Sequence, residues 1–394
     1  MHAYFHIGRP KTGSTSIQDF LLANTRTLGM QNVLHDRLDM QYSSQWELPI
    51  AALTAGGFPL NDPHVSVLLQ LTEMDRQKAY SERMLAKFES SLARKSSGKD
   101  TFVASSEHAI AYLPTSTYVA EFDKLLKRYF DSITYVVYLR DQVSLCASAY
   151  SEQIKRGHTT KQIDFVRRAV QRGWFDHERV LRPWIDTVGP ERIKVRLMER
   201  DALVSGDLID DFCSVIGVDP AGMERPAVEN PALSRDATEV MRVVNGFLPV
   251  LLDDGRHNPL RKGVQDRLLE HYADAPKLRL SSHQAEYLMD ASELSNETIR
   301  KMFYPDRENL FAPRPLPSDK NAWVDGEAAL QMAVSLLIAA RQGQLPPLRR
   351  SELMRAQSND PHTACPSGEM PQQIPWSARV GALSRTALRR MNIS

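Results

Sequence analysis

Lys11, Thr12, Ser14, Thr15 and Ser16 place one cation and four hydroxyls within six residues, around the paired glycines Gly8 and Gly13. That combination suits an anion. The cation supplies charge, the hydroxyls and backbone N–H groups supply donors, and the glycines allow a sharp turn and close approach of the backbone to a ligand. Upstream, Ala3–Ile7 is a short apolar run with an aromatic pair, the pattern of a buried parallel strand. Downstream, Ile17, Phe20 and Leu21 recur at helical spacing, so a helix opens near Ser14. A helix start turns free N–H groups and the positive end of its dipole toward the loop. Strand, loop and helix together predict an anion site.

The spacing resembles a Walker A loop, G-x-x-x-x-G-K-[ST]. Gly8, Gly13 and Thr15 fit, but Ser14 holds the lysine position and the lysine lies inside the loop as Lys11. Such a loop can cradle an anion yet lacks the lysine placed for nucleotide β- and γ-phosphates. The competing expectation is an ordinary glycine-containing strand–helix turn. Two later junctions carry further candidates. Thr101–Ser105 reads as a core strand running into Ser106-Glu107-His108, and open parallel sheets bind ligands outside the carboxyl ends of their strands. A surface turn is the alternative there. Ser132–Leu139 is dense in β-branched and aromatic residues. It ends at Arg140, after which a helix with Ser148 in its first turns runs to about Arg156 and stops at Gly157. Arginine's fork matches phosphate oxygens two at a time; a salt bridge is the alternative role for Arg140.

The elements that must position these residues alternate. Arg192–Met198 reads as another strand, and Tyr118–Tyr129, Phe165–Leu181 and Asp207–Ile216 as helices. Strands alternating with helices imply an α/β protein with a parallel sheet. From Asn230 the chain turns helical, over Asp236–Leu248, Val264–Tyr272, Ser282–Ala291 and Asn296–Phe303, with His257–Gly263 a basic loop. Residues 25–99 read less clearly: a short buried segment around Trp46–Leu53, a mixed apolar stretch at His64–Leu71, and an amphipathic helix over Arg76–Leu92. After Phe311 a Pro-rich linker leads to one helix over Ala328–Ala340. A Pro-, Ser- and Gln-rich stretch follows, expected to be flexible, then a basic amphipathic tail over Ala378–Met391. That tail is either a disordered end or a docking or membrane-surface element. The expected division is a domain over 1–311 and an extension over 312–394.

Composition narrows the classes. A net charge of +1 over 394 residues gives no support to binding of nucleic acid or membrane through global charge. No run approaches the ~20 apolar residues of a membrane span. The start lacks the basic leader of a signal peptide. Cys146, Cys213 and Cys365 form neither a metal pattern nor an even disulfide framework, so the expectation is a reducing, cytoplasmic setting with no metal.

Pro10-Lys11-Thr12-Gly13-Ser14-Thr15 near the start, and Arg140 with Ser148 after a later hydrophobic strand, together resemble the PAPS-dependent sulfotransferases, bacterial members above all (PAPS is 3′-phosphoadenosine-5′-phosphosulfate). The resemblance covers roughly residues 2–311. It implies a P-loop NTPase-like three-layer fold, with a central parallel sheet flanked by helices and a helical C-terminal part. It implies that Lys11 sits near the oxygen bridging sulfate and phosphate, that the amides around Gly13–Ser16 hold the phosphate, and that Ser14 and Thr15 donate to it. Arg140 and Ser148 would bind the 3′-phosphate. Arg261-Lys262-Gly263 resembles a basic element with the same role. Glu107 or His108 would be the base that takes the proton of an acceptor hydroxyl, a carbohydrate being favoured, as PAP leaves. No catalytic metal is implied. Ser16 stands where the family often has an aromatic residue against adenine. The runner-up readings are a P-loop kinase and a nucleotide-binding regulator without transfer activity.

Overall fold

Among the described residues every strand lies parallel to its neighbours, in one sheet of order β2-β3-β1-β4-β5. The computed structural model describes residues 1–37, 44–226, 233–252, 256–316 and 324–345. β1 is His2–His6, β2 Val33–Leu34, β3 Thr101–Ser105, β4 Ser132–Leu139 and β5 Ile193–Leu197. His2 registers with Thr101 on one side and Ser132 on the other, and Tyr135 with Ile193. β1, β3 and β4 are central strands with almost every side chain buried, which is why they read as apolar runs.

Alternation along the strands builds two cores. Ala3, Phe5, Phe102, Ala104, Tyr135 and Val137 face one layer of helices: α3 (Glu47–Ala55), α5 (Met74–Lys95), α7 (Ser116–Leu126) and α10 (His177–Val188). Val103, Val136 and Tyr138 face the other, made by α1 (Ser14–Ala23), α2 (Thr25–Met30) and α11 (Leu208–Ile216). The result is an α/β protein with a parallel sheet flanked by helices. The remaining helices are α4 (Pro63–Leu68), α6 (Ala109–Tyr112), α8 (Gln142–Lys155), α9 (Gln162–Gln171), α12 (Arg235–Phe247), α13 (Pro259–His271), α14 (Ser282–Phe303) and α15 (Gly326–Arg341).

The chain divides into two units. The first comprises Met1–Leu145, Gly173–Glu229 and Met289–Arg314 and holds the whole sheet; the second comprises Cys146–Arg172, Asn230–Leu288 and Pro315–Ser394. The second is helical. In it the buried Arg235 Nε donates to Asp236 Oδ1 at 2.7 Å, and Asp236 Oδ1 also accepts from Asp325 N at the start of α15.

Three local expectations change. His257–Gly263 is not a loop, because Asn258 caps α13 through Leu260 N and Arg261 N, and Pro259 sits at the first helical position. The helix expected over Phe165–Leu181 is two, separated at Gly173, whose φ is +62°, and restarted by the Asp176 cap. The two helices expected between Ser282 and Phe303 are one. Within it Ser292 and Ser295 are buried, Ser295 Oγ accepting from Glu178 N at 2.9 Å. The stretch expected to be flexible and the basic tail over Ala378–Met391 lie outside the described residues.

Candidate functional site

β1 leads toward β2 at one edge of the sheet and β4 toward β5 at the other. The two strands are neighbours, so their connections leave in opposite directions. Such a reversal opens a crevice at the carboxyl ends of the strands, the usual ligand position in open parallel sheets. The loop after β1 and Arg140 after β4 both lie there. Arg140 Nη1 donates to the carbonyl oxygen of Lys11 at 3.3 Å.

The loop has its shape for stated reasons. Lys11 and Gly13 are left-handed, with φ of +68° and +83°. Left-handed backbone is uncommon for lysine, and such conformations concentrate where a loop has work to do. A Cβ on Gly13 would lie 2.2 Å from Leu208 Cδ2 on α11. A Cβ on Gly8 would lie 2.7 Å from Ser14 Oγ and 3.1 Å from Glu107 Cα. Gly8 is thus needed for space, Gly13 for both space and φ. Thr12 and Ser14 are buried, their hydroxyls donating to the carbonyl of Arg9 at 2.7 and 3.1 Å. Pro10 and Thr15 are exposed; Lys11, Gly13 and Ser16 are half-buried.

α1 begins at Gly13 with no side-chain cap and no acid in its first turn. The first N–H groups of a helix have no acceptor within it, and the dipole makes that end positive. α10, α11, α12, α13 and α15 begin differently, each capped by its own Asp, Ser or Asn side chain, whereas α2, α6 and α7 share with α1 the lack of both cap and acid.

Beneath the loop a buried chain of hydrogen bonds joins the two strand tips. Arg9 donates through Nη1 to His177 Nδ1 at 2.6 Å and through Nη2 to the carbonyl of Trp174. His177 Nε2 lies 3.0 Å from the carbonyl of Arg140. An arginine can only donate and a carbonyl can only accept. His177 therefore carries its proton on Nε2 and is neutral. Burial foremost, with Arg9 alongside, holds its pKa well below the ordinary histidine value. Burial pulls Arg9 down to about 10, partly opposed by Asp176. His6, at the end of β1, is pulled down to about 3 by burial and meets Ser105 Oγ at 2.8 Å. Arg140 is shifted down by burial, with Asp141 opposing and Arg314 adding.

Glu107 and His108 follow β3 on the other side of β1. The residues before α3 line up against them: Gln45 N donates to the carbonyl of Ser105 at 2.9 Å, and Ser105 N donates to Gln45 Oε1 at 3.0 Å. Ser44 Oγ lies 3.1 Å from His108 Nδ1. The Trp46 ring meets the His108 ring edge-on at 5.2 Å, and Tyr112 lies at 5.3 Å. Glu47, the next residue, is buried. Burial pushes its carboxyl up to about 8, with Asp36 adding and its own backbone N–H and Arg37 opposing.

The first unit thus brings together Pro10–Ser16, Glu107, His108 and Arg140. Ser148, Arg261, Lys262 and Gly263 belong to the second. Ser148 is half-buried on α8. Arg261 is buried, donating through Nε to Asn245 Oδ1 at 3.0 Å and through Nη2 to the carbonyl of Lys155 at 2.7 Å. There it satisfies the last carbonyls of α8, a common use of a cation at a helix C-terminus. Lys262 pairs with Asp266 at 2.5 Å. Arg9, His177 and Glu47 were missed by sequence reasoning. Among the described residues no cluster of three or more His, Cys, Asp or Glu could hold a metal, and no helix is long and apolar enough to cross a membrane.

No protein-family model matches the chain, and no solved structure matches it. Among curated proteins, an uncharacterized protein of Archaeoglobus fulgidus is 31% identical over 111 residues, covering 28% of this chain and 30% of that protein. The matched stretch thus spans less than a third of the relative's length.

Proposed function

We propose that the chain is a PAPS-dependent sulfotransferase, on a P-loop NTPase-like fold, that moves a sulfuryl group to an acceptor hydroxyl. The observation that carries this reading is the hydrogen bond from Arg140 to the Lys11 carbonyl, 3.3 Å long, across the β1–β4 crevice. Two cations from distant parts of the chain flank one helix start that has no cap of its own. A donor with a phosphosulfate at one end and a phosphate at the other needs such a pair of grips.

In the proposed step the acceptor oxygen attacks sulfur in line. The new S–O bond forms as the bond from sulfur to the bridging oxygen breaks, and PAP leaves with its charge on that oxygen. Lys11 and the first N–H groups of α1 meet the growing charge. The acceptor's proton passes to Glu107 or His108. The hydrogen bond between His108 Nδ1 and Ser44 orients the imidazole ring. No residue of the step calls for a metal. Ser148, Arg261, Lys262 and Gly263 enter through the resemblance alone, as further contacts for the 3′-phosphate. Ser14 enters through it as well, and its hydroxyl would have to leave the Arg9 carbonyl to reach a phosphate. A carbohydrate is the favoured acceptor and the cytoplasm the favoured setting.

The test is transfer of radiolabelled sulfate from PAPS to a panel of glycan, lipid, phenol and tyrosine acceptors without added metal. Wild-type protein should label one class, and Lys11→Ala should label none while keeping its circular dichroism spectrum. Wild-type-like transfer by Lys11→Ala would overturn the assignment. Magnesium-dependent consumption of ATP in its place would favour the kinase reading.

A further inference from the structure

Helix α15 is apolar on two opposite sides. Met332, Leu336 and Ala339 are buried within the second unit. Leu330, Val334, Leu337 and Ile338 lie on the outer side, exposed by 64%, 44%, 70% and 51%. No charged residue occurs between Glu327 and Arg341. A helix that is hydrophobic all round is expected to be buried all round, and a contiguous exposed apolar patch marks a site of association. The outer face of α5 shows the usual alternative, with Glu82, Arg83, Lys87, Glu89, Arg94 and Lys95 exposed.

We infer that the outer face of α15 pairs with the same face of a second copy of this chain, antiparallel, about a two-fold axis at Val334. The register follows from the residues. Glu327 and Arg341 are equally spaced on either side of Val334, and so are Leu330 and Ile338. Two antiparallel helices crossing there set Val334 against Val334 and Leu330 against Ile338. Each Glu327 then faces the Arg341 of the other copy, twice by symmetry, as an isologous contact requires. Both residues are exposed. A parallel pairing would instead set Glu against Glu and Arg against Arg. The basic tail of this chain suits the face less well. Its apolar residues Val380, Leu383 and Leu388 come with Arg379, Arg385, Arg389 and Arg390, and it contains no acid to meet Arg341. This pairing is independent of the proposed transferase activity.

Sedimentation velocity on the full chain across the micromolar range tests it. Wild-type protein should dimerise, and Val334→Glu, which sets two carboxylates face to face on the axis, should sediment as monomer. Glu327→Arg and Arg341→Glu should each weaken the dimer by about twofold to fivefold, and the double reversal should restore it. In a Cys365→Ser background, Val334→Cys should form a disulfide-linked dimer on mild oxidation, because only a residue on the axis meets itself. A full-length monomer at high micromolar concentration would overturn the inference. A dimer that Val334→Glu leaves intact would also overturn it. So would a monomer that becomes a dimer only when residues 346–394 are removed, since the tail would then be what covers the face.

Discussion

At two neighbouring strand tips the chain turns from strand into helix, and it finishes the two turns in opposite ways. α1 starts at Gly13 without a cap and with no acid in its first turn. α8 starts at Asp141, whose carboxylate accepts from Ser144 N at 2.8 Å and pairs with Arg314 at 3.2 Å. One helix start has no acid of its own; the other carries one. Arg140, beside that self-satisfied start, donates back to the Lys11 carbonyl instead. The difference teaches that the same strand-turn-helix geometry can end in a capped or an uncapped helix start.

Substitutions can break or sharpen this contrast. The largest effect is expected from Lys11→Ala, which removes the loop's only cation that is not buried. Transfer should fall by about a hundredfold or more, the scale of losing one group that stabilises developing charge, with the urea midpoint near wild type. His177→Ala comes next. It leaves the buried Arg9 without its Nδ1 acceptor and the Arg140 carbonyl without its donor. Urea denaturation should show a loss of about 3 kcal/mol, as expected when a buried charged group loses its partner. A smaller change would show that the two tips hold together without the relay.

Exchanging the caps has smaller effects of opposite sign. Thr15→Asp gives α1 an acid in its exposed first turn and should stabilise the protein by about 0.3–1 kcal/mol, while weakening PAP binding. Asp141→Ala should cost about 1 kcal/mol through the lost cap on α8. If Thr15→Asp binds PAP as tightly as wild type, the open start of α1 is not where the phosphate sits.

Further effects concern neutral groups buried in the first unit. Burial lowers His6 to about 3 and, foremost among its causes, lowers His35 to about 4, both below the unfolded value near 6.5. The folded state then holds fewer protons than the unfolded, so their contribution is complete above pH 6.5 and is lost as pH falls through the folded values. Glu47 runs the other way. Its folded value near 8 exceeds the unfolded 4.5, so stability declines as pH rises from 4.5 to 8. Glu47→Gln should flatten a thermal-stability profile between pH 4.5 and 8 and leave it unchanged below pH 4.5.

Much of the sheet was legible because buried parallel strands are written as apolar runs. β3 and β4 fall on the expected residues, and β1 and β5 within one residue at each end. β2 was not legible, since Val33–Leu34 is too short to show a period. The tight turn after β1 could be read from its glycine spacing. The buried pairing beneath it could not: Arg9 and His177 stand 168 residues apart, and nothing local in either marks the other. Glu47 escaped for a related reason, because acids are so seldom buried that sequence alone places them in solvent. At α13 the signal was present and misread. An Asn-Pro step looks like a turn, yet it is also the cap and first residue of a helix.

The central claim is that the β1 and β4 tips grip opposite ends of one adenylate. Calorimetric titration of PAP into wild type, Lys11→Ala and Arg140→Ala, without metal, tests it most directly. The account predicts saturable one-to-one binding by wild type and a loss of affinity in each variant, with all three proteins equally folded. Absence of PAP binding by wild type, or unchanged affinity in both variants, would contradict it.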